Sequence, residues 1–232
     1  MNIKDILEHS KVEQSKQMVQ DINKDMIGRI ALNQAAQATH VLYIVKELMG
    51  DKCKKVLDIG TLWGGSLMTM MQSEYDSHFV SIDFFNGYYK NLTGLSEDPV
   101  CGGTNTIGSV TANINRHNKY DYSYDLIEGS SHNLSVIETV YSLLEDSVDF
   151  LFIDGDHTKE GVIQDWKDYS KLVTKDGIVV FDDYWSGDLA GNAWKQNMDI
   201  VGAFEEIKKT KFFKENWEEI GLISDKKIIK RK

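Results

Sequence analysis

The chain has little proline, little cysteine and too few positive charges to balance its acids. Its single proline, Pro99, lies in one stretch, Phe84 to Gly103, together with four glycines and the pair Tyr88-Tyr89. Its two cysteines, Cys53 and Cys101, are too few and too far apart for a metal or redox motif. No apolar run reaches the roughly 20 residues of a membrane span. The opening segment Met1-Asn2-Ile3-Lys4-Asp5 lacks the apolar core of a secretory signal, so a cytoplasmic, reducing setting is expected. Lysine and arginine number 26 against 36 aspartates and glutamates, a net charge of −10, which argues against a general nucleic-acid surface. The exception is local: Lys226, Lys227, Lys230, Arg231 and Lys232 crowd the end and read as a solvated terminal strand. There is no repeat, low-complexity tract or interdomain linker.

What is present is an alternation of short apolar runs and amphipathic segments. The first fifty residues read as a helical cap, with Ile30, Val41, Leu42, Ile44, Val45 and Leu48 as its apolar positions, ahead of the alternating region over 51–232, the whole forming a single domain. Strands are expected near 55–59, 79–83, 124–128, 149–154 and 178–182. Helices are expected near 66–74, 107–117, 134–145, 159–172 and 197–210, the third entered through a capping-box pair, Ser135 and Glu138. This pattern predicts an α/β fold: a Rossmann-like doubly wound sheet, mostly parallel, with helices on both faces. Two further β-like runs, Trp217–Ile223 and Lys226–Lys230, flank Ser224-Asp225 and predict an antiparallel terminal hairpin. The stretch from Phe84 to Gly103 is long for a βα connection and reads as a lid.

Three acids stand at two strand ends. Asp154 closes Val148–Ile153, and Asp182 and Asp183 close Gly177–Phe181, with a helical segment from Thr158 to Thr174 between them. A right-handed βαβ crossover places both ends on one sheet edge, where open α/β sheets bind ligands. Converging carboxylates repel unless a positive charge joins them, and a hard divalent cation is the simplest partner. Asp182 as a plain helix or turn cap is the alternative.

The run Val56–Ser66 reads as strand, glycine turn and helix start. Its spacing, D-x-G-x-x-x-G-G, is not the dinucleotide fingerprint. Gly60 and Gly64 allow close backbone approach to a ligand, and Asp58, inside the strand, suits a cofactor that carries an ammonium rather than a pyrophosphate. Asp83 ends the next strand 25 residues later, where an acid can accept both hydroxyls of a ribose.

On these residues, with Ile153-Asp154-Gly155-Asp156-His157 and Phe181-Asp182-Asp183-Tyr184, the chain resembles the class I S-adenosylmethionine (SAM)-dependent methyltransferases. Within them it is similar to the metal-dependent O-methyltransferases that act on catechols and macrolide sugars, and it shares features with the cephalosporin hydroxylase-like family. The resemblance covers roughly Lys55 to Trp185. It implies that the turn Gly60-Thr61 to Gly64 holds the methionine part of SAM, with Asp58 beneath it. It implies that Ser66 meets the SAM carboxylate, that Asp83 holds the ribose and that Ser131 borders the adenine, with His132 either beside it or only at a helix entry. It implies Asp154, Asp182 and Asp183 as ligands of Mg²⁺, with Mn²⁺ or Ca²⁺ as substitutes, and His157 as general base, with Asp156 as the other candidate. The family often has Asn or Glu where this chain has its second pair of acids, so the site carries extra charge.

The expected reaction is metal-assisted methyl transfer to a hydroxyl of a small molecule or glycan, with no nucleic acid and no membrane involved and with homo-oligomerisation left open. Other readings are a metal-dependent hydroxylase or hydrolase on the same fold, a SAM-binding protein without catalysis, and an NAD-dependent oxidoreductase, which the glycine spacing disfavours. Trp63, Trp185, Tyr88, Tyr89 and Tyr184 are either pocket floor or core. His40, His78 and His117 read as structural or surface residues.

Overall fold

The computed structural model describes residues 1–30, 38–85, 105–184 and 198–232. Trp185, Tyr88, Tyr89 and nearly all of the proposed lid lie outside them. Seven strands form one sheet: β1 (Lys55–Ile59), β2 (His78–Asp83), β3 (Tyr124–Glu128), β4 (Val148–Ile153), β5 (Val173–Phe181), β6 (Trp217–Ile223) and β7 (Lys226–Arg231). Their order is β3-β2-β1-β4-β5-β7-β6. The first five strands are parallel, and β7 runs antiparallel to both β5 and β6. The expected doubly wound sheet with its terminal hairpin is therefore present. The order reverses between β1 and β4, which is where such sheets open a ligand crevice.

Period-two alternation divides the strands between two cores. Val56, Phe79, Phe150, Phe152, Ile178, Val180 and Ile228 face one side. Leu57, Ile59, Val80, Ile82, Leu151, Ile153, Val179, Phe181 and Ile229 face the other. The first face is covered by α1 (Ile3–Leu7), α2 (Val12–Asp25), α3 (His40–Met49), α4 (Gly65–Met70) and α5 (Ile107–His117). The second is covered by α6 (Leu134–Leu143), α7 (Lys159–Tyr169), α8 (Ile200–Lys209) and α9 (Lys211–Asn216). Here Trp166 packs against Trp217 with ring centroids 4.9 Å apart. Among the described residues no helix is long and apolar enough to cross a membrane.

Several boundaries differ from those read in the sequence. The helix after Asp154 stops at Tyr169, a 3₁₀ turn follows over Ser170–Leu172, and β5 begins at Val173 rather than near 178. The pairing steps from Val148↔Val173 to Phe150↔Ile178, so the polar stretch Thr174–Gly177 is an irregularity within a strand, with Asp176 at φ 66°. The cap of α6 is Asn133, whose side chain accepts from the Ser135 amide, so Ser135 and Glu138 do not form the capping box. Helix α9, capped by Thr210, is too polar and short to stand out by periodicity.

Candidate active site

A row of backbone hydrogen bonds runs across the carboxyl ends of the parallel strands. Gly129 N–H donates to Asp83 O at 2.9 Å, Gly60 to Ile82 at 2.9 Å, Asp154 to Ile59 at 2.8 Å and Asp182 to Ile153 at 3.0 Å. Every acid singled out in the sequence thus lies at or near one edge. Gly60 is the tightest point. It sits at φ 97°, and a Cβ there would lie 2.0 Å from the carbonyl oxygen of Asp154. Its lack of a side chain is what lets the neighbouring strand end come this close.

Asp83 is held by backbone. Its Oδ2 accepts from Leu62 N–H at 2.8 Å and its Oδ1 from Phe85 N–H at 2.9 Å, and Asn105 Nδ2 lies 3.4 Å from Oδ1. Asn105, which the sequence reading missed, also donates to Leu62 O at 2.6 Å and ties the glycine turn to the acid. Burial raises the Asp83 pKa, against the pull of these donors. Leu62 and Phe85 both have φ 48°, so the acid is flanked by two backbone positions that non-glycine residues rarely adopt.

Asp58 is fully buried, at 0% exposure. It lies on the same face of β1 as Val56, beneath α4. Ser81 Oγ donates to it at 2.5 Å and Ser66 Oγ at 3.2 Å, while Thr61 Oγ1 lies 2.5 Å from Ser81 Oγ. Burial pushes its carboxyl up to about 7. Asp58, Ser66, Ser81 and Thr61 thus form one buried hydrogen-bonded chain beneath the glycine turn. Ser81 was the missed member; it pairs with Asp58 across the β1–β2 register, a polar residue in an apolar run.

Ser131 offers its carbonyl to Tyr169 Oη at 2.5 Å. The neighbouring His132 Nδ1 lies 3.3 Å from Asp168 and 3.5 Å from the buried Asp165. Burial pushes the Asp165 carboxyl up to about 7, against the pull of His132 and Ser131. The turn after β3 is thereby braced from α7.

Asp225, not the expected Asp154, completes the close cluster with Asp182 and Asp183, and Asp154 stands beside it. One oxygen from each of Asp182, Asp183 and Asp225 lies within 4.8 Å of the others. Asp154 Oδ1 is 3.0 Å from His157 Nε2, and Asp183 Oδ2 is 3.8 Å from His157 Nδ1. Burial and the neighbouring Asp182 charge raise the Asp154 pKa well above the usual carboxylate range. Burial opposes charge on His157, yet the Asp154 hydrogen bond and the surrounding acids outweigh it and lift the imidazole to about 9. Asp156 lies just ahead of α7, whose cap is Thr158, and accepts from Thr158 N–H at 2.9 Å.

The C-terminal basic run is not a solvated tail. Lys226 and Lys227 are buried. Lys226 Nζ donates to Asp182 and lies 3.0 Å from Asp225 Oδ1, and Lys227 Nζ is 2.6 Å from Glu219. Burial opposes the charge on Lys226, but Asp182 and Asp225 overcome it and hold the ammonium above its ordinary value. The carboxylates of Asp154, Asp182, Asp183 and Asp225 gather around the Lys226 ammonium and the His157 ring. The donor set is carboxylate oxygen apart from the imidazole, so the residues fit a hard cation. Trp63 is core, packed over Gly28, and Tyr184 stacks edge-on to Phe204 at 5.8 Å.

Comparison with known proteins follows the same lines. Residues 57–184 match the family model described as "Methyltransferase domain". The uncharacterized protein R132 of Acanthamoeba polyphaga mimivirus is 32% identical over 174 residues, 70% of this chain. The chain spans 64% of that relative's length. Among solved structures, the O-methyltransferase from Bacillus cereus in complex with SAH superposes with a TM-score of 0.59 at 17% identity, over 99% of this chain and 94% of that one. MycE methyltransferase from the mycinamycin biosynthetic pathway, in complex with Mg and SAH, does so with a TM-score of 0.54 at 12% identity, over 86% of this chain and 50% of that one.

Proposed function

Because this chain belongs to the methyltransferase-domain family, we propose that it transfers a methyl group from SAM to a hydroxyl of a small molecule or sugar, with Mg²⁺ at the acid cluster, in the cytoplasm. The observation that carries this reading is the junction of Gly60 with Asp154. The glycine turn of a methyl-donor site and the first acid of a cation site are in backbone contact, so donor and acceptor would meet without further rearrangement. MycE, which shares the fold, is a methyltransferase seen with Mg, SAH and mycinamycin VI, and that supports a small-molecule acceptor here.

The geometry supports the following roles. Asp83, fixed by two backbone donors, retains lone pairs on both oxygens for the two ribose hydroxyls. The turn from Gly60 to Gly64 is tied down through its own Thr61, whose hydroxyl joins the buried hydrogen-bonded chain of Ser81, Asp58 and Ser66. Asp154, Asp182 and Asp183 would hold Mg²⁺, which when bound acidifies a hydroxyl on the acceptor. His157 stands between Asp154 and Asp183 and holds its proton at neutral pH while those acids are unneutralised. It becomes a base once further positive charge enters the cluster, because that charge opposes the imidazolium.

The test is calorimetry with SAM, with and without Mg²⁺, on the wild type and on Asp83→Ala. SAM should bind without Mg²⁺, and Asp83→Ala should weaken binding strongly by removing the acceptor of both ribose hydroxyls. Methyl transfer from labelled SAM to glycosides and catechols should stop in EDTA and return with Mg²⁺. Unchanged SAM affinity in folded Asp83→Ala, or full turnover in EDTA, would sink the assignment.

A further inference from the structure

Lys226 enters the acid cluster from β7, whose direction is opposite to that of β5. Phe181 pairs with Lys227, so the antiparallel register sets Asp182 opposite Lys226. The hairpin turn is also latched to the acid strand, because Tyr184 N–H donates to Asp225 O at 2.8 Å. The Lys226 side chain is only 3% exposed and touches two carboxylates, Asp182 and Asp225. Asp182 is at the same time one of the acids that would hold Mg²⁺. Two cations therefore contend for one carboxylate, and two positive charges at such distances repel.

We propose that Lys226 is a tethered counter-ion that holds Asp182 while no divalent cation is bound and yields it when one arrives, remaining paired with Asp225. This rests on the reading of Asp182 as a metal ligand. Lys226 then lowers metal affinity below what the acids alone would give and keeps the edge from flying apart without metal. Asp225 is the partner that retains the displaced ammonium, so it governs how readily Asp182 is released.

Titration of the full chain with Mn²⁺ and Mg²⁺ by calorimetry reads this without turnover. Lys226→Met should bind Mn²⁺ roughly tenfold tighter or more, since a competing buried charge is gone. Asp225→Asn should bind more weakly than the wild type, because the ammonium then has only Asp182. The double variant should match Lys226→Met, since Asp225 has nothing left to hold. Lys226→Gln, which keeps a donor for Asp225 but no charge, covers the case in which the methionine variant fails to fold. The unfolding midpoint of either variant should rise more on adding Mn²⁺ than that of the wild type. Equal or weaker metal binding by folded Lys226→Met and Lys226→Gln overturns the proposal. So does a double variant that falls below Lys226→Met by as much as Asp225→Asn falls below the wild type, for Asp225 would then be a ligand itself. No binding heat in the wild type and the Lys226 variants alike would instead remove the metal site.

Discussion

Replacing Gly60 by alanine places one methyl group where the structure has no room for it. The residue sits at φ 97°, and its Cβ would lie 2.0 Å from the Asp154 carbonyl oxygen and 2.5 Å from the carbonyl carbon. These are backbone atoms, which cannot rotate away as a side chain can. The left-handed backbone costs roughly 1–2 kcal/mol for an L-residue. Relieving an overlap of about 1 Å in a close-packed region adds roughly 1–3 kcal/mol. For a chain of this size each kcal/mol corresponds to about 2 °C in Tm, so Gly60→Ala should melt roughly 4–10 °C below the wild type. Gly64→Ala is the control. Its φ is 86°, but the nearest atom to its Cβ is Val110 Cγ1 at 3.4 Å, so it should lose only the backbone term, roughly 2–4 °C. Thermal melts of both variants, followed by SAM calorimetry, make the comparison. Gly60 N–H also bonds Ile82, and the turn after it carries the Leu62 amide to Asp83, so Gly60→Ala should lose SAM affinity as well. If the two variants melted together, the close approach of β1 and β4 would not be what demands a glycine.

Two further outcomes can be measured. His157→Ala should lower kcat roughly 10²-fold with little change in SAM affinity, and it should lose a limb of the pH–rate profile that climbs with pH as the imidazole gives up its proton, at a pH below the value of about 9 it has without a cation; a variant that keeps both rate and profile places the base elsewhere. The carboxyl of Asp165 lies up at about 7 in the folded chain against 3.8 ordinarily, so between those values the folded state binds more protons than the unfolded one and stability falls as pH rises, levelling above about 7. Asp165→Asn should flatten that decline in thermal melts taken across the window, leaving the parts that the other raised acids, Asp58, Asp83 and Asp154, contribute, and an unchanged slope would mean that Asp165 is not the group titrating.

What could be read from the sequence was what short-range pattern encodes. Strands β1 and β3 and helix α5 lie at the expected residues because apolar alternation and apolar periodicity are local signals. The acids at 83, 154, 182 and 183 stood out for the same reason, as charges ending apolar runs. The early start of β5 was hidden because Thr174–Gly177 is polar and looks like a loop, while pairing with β4 keeps it in the sheet. Lys226 was misread because nothing near it in sequence marks it. Its partner Asp182 lies 44 residues earlier and meets it only through the antiparallel register. The buried chain from Asp58 through Ser81 to Thr61 depended in the same way on which strand lies beside β1. Sequence reading found the acids but not what neutralises them, since neutralisation is a tertiary property.

The reversed direction of β7 has a consequence for synthesis. A ribosome delivers Asp154, Asp182 and Asp183 first, and Asp225 with Lys226 only after a further stretch of chain. The 44 residues from Asp182 to Lys226 take roughly 2–9 s at ordinary elongation rates. Throughout that interval the nascent sheet carries its acids with no lysine among them. The strand order β5-β7-β6 then requires β7 to dock directly on β5, with β6 outermost. The hairpin brings Asp225 together with Lys226, so its docking leaves the net charge of that edge unchanged and instead sets an ammonium directly against Asp182.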